Sequence, residues 1–474
     1  MQKTSRFSRS VWGIALVCAL LMVVLALQIS VPQPVYAQAE PTATPGNDPI
    51  WLAFSAARAA LEEKYSADLR TVRTWNWEQA EYVTGITSCV DNPEEPLQLY
   101  FGWRFVITDV RGRTFEARTS FDRSIVIACD RVEAPTAAAA APGGTPDPSL
   151  PTPIAGAAAV GSFELGGHVL ELNAGTVGAM RRAGMTWVKK QLRYNLGETG
   201  EGSAAAGLIN AARQNGFKIV LGIVGNPAQM GDFNGYIAQY AQFVAGVARL
   251  GPDAIEVWNE PNIDREWPTG QVNGANYTRL LAAAYNAIKG VNPNILVISG
   301  APAPTGFWGT AGCGPNGCND DVFMQQMGQA GATQYLDCIG LHYNEGIVAP
   351  GAGTGDPRDN YPTRYFGSML QRGLAPFSGK PACFTELGYV SPEGFGDPLP
   401  ANFAWGQNTS VAEQAAWLAD AARLSAQSGR VRMMIVWNVD FPFYTPTDPM
   451  GGYAMIRPGG GCPACDTLGQ VMRR

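Results

Sequence analysis

Histidine is almost missing from this chain: 474 residues contain only His168 and His342. That weighs against a histidine-rich metal centre. The one zinc-like spacing, Cys462-Pro463-Ala464-Cys465, has no second CxxC to complete it, and both histidines are far away in sequence. Charge is sparse too, at 16% Asp, Glu, Lys and Arg with a net charge of -6. Outside the extreme N-terminus there is no Lys/Arg run, so no basic face for nucleic acid is expected. No GxGxxG follows the first strand-like run after residue 160, which counts against a dinucleotide fold. Neither a metal nor an organic cofactor is implied. Apolar residues, by contrast, make up 46% of the chain, alongside 55 glycines and 34 prolines. A large globular core divided into two or three domains suits that length.

The N-terminus reads as a targeting segment, residues 1–37. Lys3, Arg6 and Arg9 precede an apolar run from Trp12 to Leu27, with small-residue cleavage options at Val35-Tyr36-Ala37 or Ala37-Gln38-Ala39. Cleaved, it is a secretory signal; retained, it is a membrane tether. Either way the expectation is a bacterial protein that is secreted or anchored at the extracellular surface. Eight cysteines remain beyond it, an even number that favours disulfides in an exported chain. Cys89 with Cys129, Cys313 with Cys318 and Cys462 with Cys465 are the expected pairs. Cys338 and Cys383 fall in core strands, where buried free thiols serve as well.

Residues 38–49 form a Pro/Thr/Ala linker. Residues 50–133 then read as a small α+β domain, cystatin-like in outline. It has a helix from Ile50 to Tyr65, strands over 75–83, 97–110 and 114–129, and a turn at Arg111-Gly112-Arg113. Nothing in it looks catalytic. Residues 134–159 are an Ala/Pro-rich linker, expected to be extended and mobile. From 160 to 474 strand and helix signals alternate. Strands are expected at 162–170, 185–193, 217–224, 253–259, 295–300, 336–343, 380–387 and 431–439. Eight β-then-α units point to an α/β fold, a (β/α)8 barrel, with chemistry at the C-terminal strand ends.

Two of those ends carry a glutamate after an apolar run: Glu260 in Trp258-Asn259-Glu260-Pro261-Asn262, and Glu386 in Thr385-Glu386-Leu387-Gly388-Tyr389. A buried strand seldom ends in a carboxylate, because an unpaired charge there costs several kcal/mol. Sugar hydrolysis needs two: one acid protonates the leaving oxygen while the other carboxylate attacks or activates water. As an alternative, the two carboxylates are simply satisfied by buried Arg or Lys.

With Asn-Glu-Pro at strand four and a carboxylate at strand seven, residues from about 161 onward resemble the clan A glycoside hydrolases, most closely the family 39 and family 5 types. The resemblance implies a retaining glycosidase acting on an oligo- or polysaccharide, with Glu260 as acid/base and Glu386 as nucleophile. It implies that Asn259 contacts the sugar 2-hydroxyl, that His342 and Tyr343 donate around Glu386, and that Trp437 stacks on the sugar. Lys189 stands near the place of the clan's nucleophile-steadying arginine, with Arg193 as a substitute, and it is also the expected partner of Glu256. Glu260, as the acid, is expected to have a raised pKa. Trp267, Trp308, Tyr389 and Trp405 are candidates to line further subsites. The competing readings are a barrel that binds carbohydrate without cleaving it, and a transglycosylase.

Overall fold

The computed structural model describes residues 49–69, 72–82, 86–87, 89, 100–109, 111–120, 122–133, 150–156, 161–306, 308 and 312–473. The targeting segment and most of both linkers lie outside them. Among the described residues no helix is long and apolar enough to cross a membrane.

In the small domain, α1 (Pro49–Tyr65) lies on an antiparallel sheet of β1 (Val72–Tyr82), β2 (Tyr100–Asp109), β3 (Thr114–Ser120) and β4 (Val126–Glu133), paired in that order. Ala53, Phe54, Ala57 and Leu61 recur at helical spacing and are buried against Trp75, Phe105 and Phe115. The Arg111-Gly112-Arg113 turn is present, with Gly112 at φ 82° and the Asp109 carboxylate accepting from the backbone N–H groups of Arg111 and Arg113. The single strand expected over 114–129 is instead two. The chain reverses at Asp122–Ser124, where Arg123 takes φ 61° without a glycine to announce it. Cys89 and Cys129 are bonded.

The barrel follows. Its strands are β5 (Glu164–His168), β6 (Trp187–Arg193), β7 (Lys218–Val224), β8 (Ala254–Val257) and β9 (Leu296–Ser299). After a short ribbon of β10 (Cys313–Gly314) and β11 (Gly317–Cys318) come β12 (Ile339–Tyr343), β13 (Ala382–Leu387) and β14 (Val431–Val436). All eight barrel strands are parallel, in the order β12-β13-β14-β5-β6-β7-β8-β9, and a parallel bridge between Ile298 and Cys338 closes the ring. Outer helices include α2 (Ala174–Arg182), α3 (Ala205–Gln214), α4 (Phe233–Arg249), α5 (Gly274–Val291), α6 (Asp320–Gln329), α7 (Phe366–Leu374) and α8 (Val411–Ser428).

Alternation of side chains along each strand sorts the interior from the helix-facing wall. Trp187, Val220, Ala254, Ile298, Met433 and Ile435 pack inside, and Val188, Ile255, Phe384 and Val436 pack against the helices. Cys338 and Cys383 belong to the interior set and are bonded to each other, so they are not free thiols. The two local pairs, Cys313–Cys318 and Cys462–Cys465, are bonded as expected.

Two observations bear on how the domains connect. Tyr361, in the loop after β12, is buried in the small domain's own core, with its ring 6.3 Å from Trp75 at 85°. Its hydroxyl donates to the carbonyl of Thr305, and the Arg372 guanidinium lies 5.3 Å from its ring centre. The second linker is also pinned where it is described. Asn286 on α5 accepts from the N–H of Ile154 and donates to the carbonyl of Thr152, while Tyr335 binds the carbonyl of Pro151. A side-chain amide that both donates and accepts fixes extended backbone much as a neighbouring strand does.

Candidate active site

The interior alternation continues upward from the apolar layers into charged ones. Ala254 points inward on β8, and so does Glu256 two residues on. Beyond it the backbone turns sharply: Trp258 has φ 79° and Glu260 φ 44°. Left-handed conformations at such residues cost about 1–3 kcal/mol each and persist where the surroundings hold them. Here the N–H of Glu260 donates to the carbonyl of Ala301, and the indole N–H of Trp258 to that of Glu266. Asn262 clamps the segment from outside. Its amide donates to the carbonyls of Ala303 and Cys318 and accepts from the N–H of Ala303. The Cys313–Cys318 ribbon therefore buttresses the Glu260 turn.

Glu386 reaches the mouth by a different device. On β13, Cys383 points in and Phe384 out, so strict alternation would turn Glu386 toward the helices. The pairing with β12 slips by one residue, from Leu341–Phe384 to His342–Glu386. Thr385 is the extra residue of a β-bulge, which reverses the phase and turns Glu386 inward. The carbonyl of Thr385 is met by Lys189 Nζ at 3.2 Å.

The two glutamates converge on one ring. His342 Nδ1 lies 3.2 Å from Glu260 Oε1 and 3.8 Å from Glu386 Oε2, with the imidazole fully buried. The two carboxylates are therefore no farther apart than those distances together. Lys189, also fully buried, sits 2.8 Å from Glu256 Oε2 and 3.6 Å from Glu386 Oε1. Both expected partners of Lys189 are thus present. Arg193 is not at this place: it is half exposed and binds the carbonyl of Gly225 and Glu266. Asn259 accepts from Gln191 Nε2 at 3.3 Å. Trp437, half-buried at the end of β14, lies edge-on to His168 at 4.8 Å and to Phe441 at 5.2 Å.

Tyr343 requires correction. His342 faces inward, so its neighbour faces outward, and the Tyr343 hydroxyl donates to the carbonyl of Arg364, away from Glu386. The donor found instead is Asn344, whose Nδ2 lies 3.4 Å from Glu386 Oε2. Trp267 and Tyr389 are wholly buried among core rings and line no cleft; Trp308 and Trp405 are half-buried.

Arg265 went unnoticed in the sequence. It follows Glu260 by five residues, is 69% exposed, and binds Glu260 Oε2 from the solvent side. Burial alone would raise the Glu260 pKa, but the hydrogen bond and charge of His342 and the charge of Arg265 outweigh it and hold it low. The raised value expected of a resting acid is therefore not found; the shift is downward. For His342, burial favours the neutral ring, but the charge of Glu386 and the hydrogen bond to Glu260 prevail and raise its pKa. Burial would deprotonate Lys189; the charges of Glu256 and then Glu386 reverse this and raise its pKa.

No protein-family model matches the chain, and no curated protein matches it. Among solved structures it is similar to a family 39 glycoside hydrolase from the gut symbiont Bacteroides cellulosilyticus WH2, with 16% identity over 84% of this chain and 76% of that one, at a TM-score of 0.48. It is also similar to a glucosidase from Croceicoccus marinus, with 17% identity over 68% of each chain at a TM-score of 0.47. A GH5-4 broad-specificity endoglucanase from Clostridium longisporum gives 11% identity over 64% of this chain and 86% of that one, at 0.42. Likenesses at these identities and scores carry no weight for the chemistry.

Proposed function

We propose that the chain is a retaining glycoside hydrolase of an exported protein, with Glu386 as nucleophile and Glu260 as acid/base. The observation that carries this reading is the meeting of two buried strand-end carboxylates at a single imidazole nitrogen. Closely set carboxyl groups, about 5–5.5 Å apart, are what double displacement requires. In the first step a Glu386 oxygen bonds to the anomeric carbon as the bond to the leaving oxygen breaks, and the Glu260 proton passes to that oxygen. In the second, Glu260 takes a proton from water, water bonds to the anomeric carbon, and the Glu386 carboxylate departs.

These electrostatics suit the second step, since His342 and Arg265 favour the ionised form of Glu260. The first step needs its proton, which displacement of the exposed Arg265 by an entering sugar would favour. Asn259 is assigned to a sugar hydroxyl and the Trp437 indole to a sugar face, which packs well on an aromatic plane. Four disulfides support folding in an oxidising compartment.

The test begins with a panel of aryl glycosides and polysaccharides. Glu386→Ala should abolish turnover, and added azide should restore it partly, giving a glycosyl azide of inverted configuration. Glu260→Ala should spare substrates whose leaving groups need little protonation. Undiminished turnover of an unactivated glycoside by Glu386→Ala would sink the assignment.

A further inference from the structure

The barrel interior contains a third carboxylate that the two-step reaction does not use. Glu256 is fully buried on β8, and its Oε1 has no hydrogen-bond partner among the described residues. Its charged partner is Lys189, equally buried, at 2.8 Å. The wall makes room for the pair: a Cβ on Gly222 of β7 would lie 3.2 Å from Glu256 Oε2 and 3.6 Å from Lys189 Cε. Withdrawing both ions from water is costly, and a well-packed apolar pair often serves the fold at least as well. Lys189 is also unevenly shared. It lies 2.8 Å from Glu256 but 3.6 Å from Glu386, and it is further held by the bulged carbonyl of Thr385.

We propose that Glu256 is a positioning residue for the nucleophile: by taking the nearer share of the Lys189 charge, it keeps Glu386 out of a tight ion pair and so keeps it reactive. This rests on the reading of Glu386 as nucleophile. A cation drawn fully onto Glu386 would make it a weaker nucleophile and a better leaving group. Its effects on the two steps of double displacement are therefore opposite in sign. A merely structural pair would have no such signature.

The experiment compares the full chain with Glu256→Gln, using a panel of 2,4-dinitrophenyl 2-deoxy-2-fluoro glycosides of gluco, galacto, manno, xylo and arabino configuration. Intact mass follows labelling of Glu386 and its release. Glu256→Gln should label about tenfold more slowly and release the sugar several-fold faster than wild type. Equal rates, or both rates slowed together, would overturn the proposal. Should that variant not fold, the uncharged pair Glu256→Gln/Lys189→Met replaces it. With no cation behind Glu386, release should then be slower than in wild type, and release at the wild-type rate would count against the proposal. A wild-type chain that no glycoside of the panel labels at Glu386 overturns the underlying reading instead.

Discussion

Arg265 reaches back along its own loop to bind the outer oxygen of Glu260, while His342 takes the inner one. One partner is open to solvent and the other sealed in the barrel, so only one of them is easily displaced. That asymmetry yields the first prediction. The pH dependence of kcat/KM reports groups of the free enzyme. Glu260 must carry a proton to act as acid, and against the raising effect of burial His342 and Arg265 lower its pKa from the ordinary value. The falling limb of the profile should therefore lie at lower pH than an unperturbed glutamic acid would set. Arg265→Gln removes one of the influences that lower it, so the falling limb should move to higher pH. A limb that stays in place in the variant's pH profile would contradict this account of Glu260.

A second prediction separates neighbours on one strand. Tyr343→Phe removes a buried hydrogen bond to the Arg364 carbonyl and should cost about 1 kcal/mol of stability with kcat unchanged. Asn344→Ala removes the donor that faces Glu386 and should lower kcat. Denaturant melts and steady-state kinetics on the same aryl glycoside would measure both. The opposite pattern would return Tyr343 to the site.

The interior disulfide permits a third. Cys338 and Cys383 close a loop across 45 positions of sequence. Replacing both with alanine should lower unfolding stability by about 2–4 kcal/mol. The pair lies among the apolar interior layers, so kcat measured well below the melting range should stay near that of wild type. A large fall in kcat with stability intact would point to an unforeseen effect on the mouth.

Tyr361 supplies the fourth. Its ring completes the small domain's core, so Tyr361→Ala should loosen that domain and expose α1 to protease, at a cost of about 3–5 kcal/mol to the docked state if the void does not collapse. Glu260 and Glu386 stand on barrel strands, so turnover of a small aryl glycoside should persist. Limited proteolysis alongside kinetics tests both halves; unchanged protease resistance would show that the ring contributes little to docking.

Both acids were legible because each breaks a simple rule, an apolar strand ending in a charge. The eight strands were legible for the complementary reason, being short apolar runs with helical texture between them. Features that depend on backbone phase were not. Tyr343 looked as well placed as His342 because adjacency in sequence hides that they face opposite ways. The bulge at Thr385 has no glycine or proline to mark it, and the turn at Arg123 likewise uses an ordinary residue in a left-handed conformation. Arg265 was hidden because it lies five residues from Glu260 in a loop, where no periodicity links the two. The anchoring of residues 150–156 was masked by composition: proline and alanine suggest a free tether, and Asn286 on a distant helix decides otherwise.

The slip at Thr385 also bears on how such a protein can change. A strand has two sides, so inserting a residue exchanges them for everything downstream. Below the slip, β13 contributes Cys383 to the interior and Phe384 to the helices; above it the same alternation resumes in reverse, with Glu386 inward. Wall and mouth are thus written in separate frames on one strand. Substitutions that repack the lower barrel leave the frame of the upper part untouched, whereas straightening the bulge with Thr385 still in the strand would turn the carboxylate toward the helices while leaving every residue type in place.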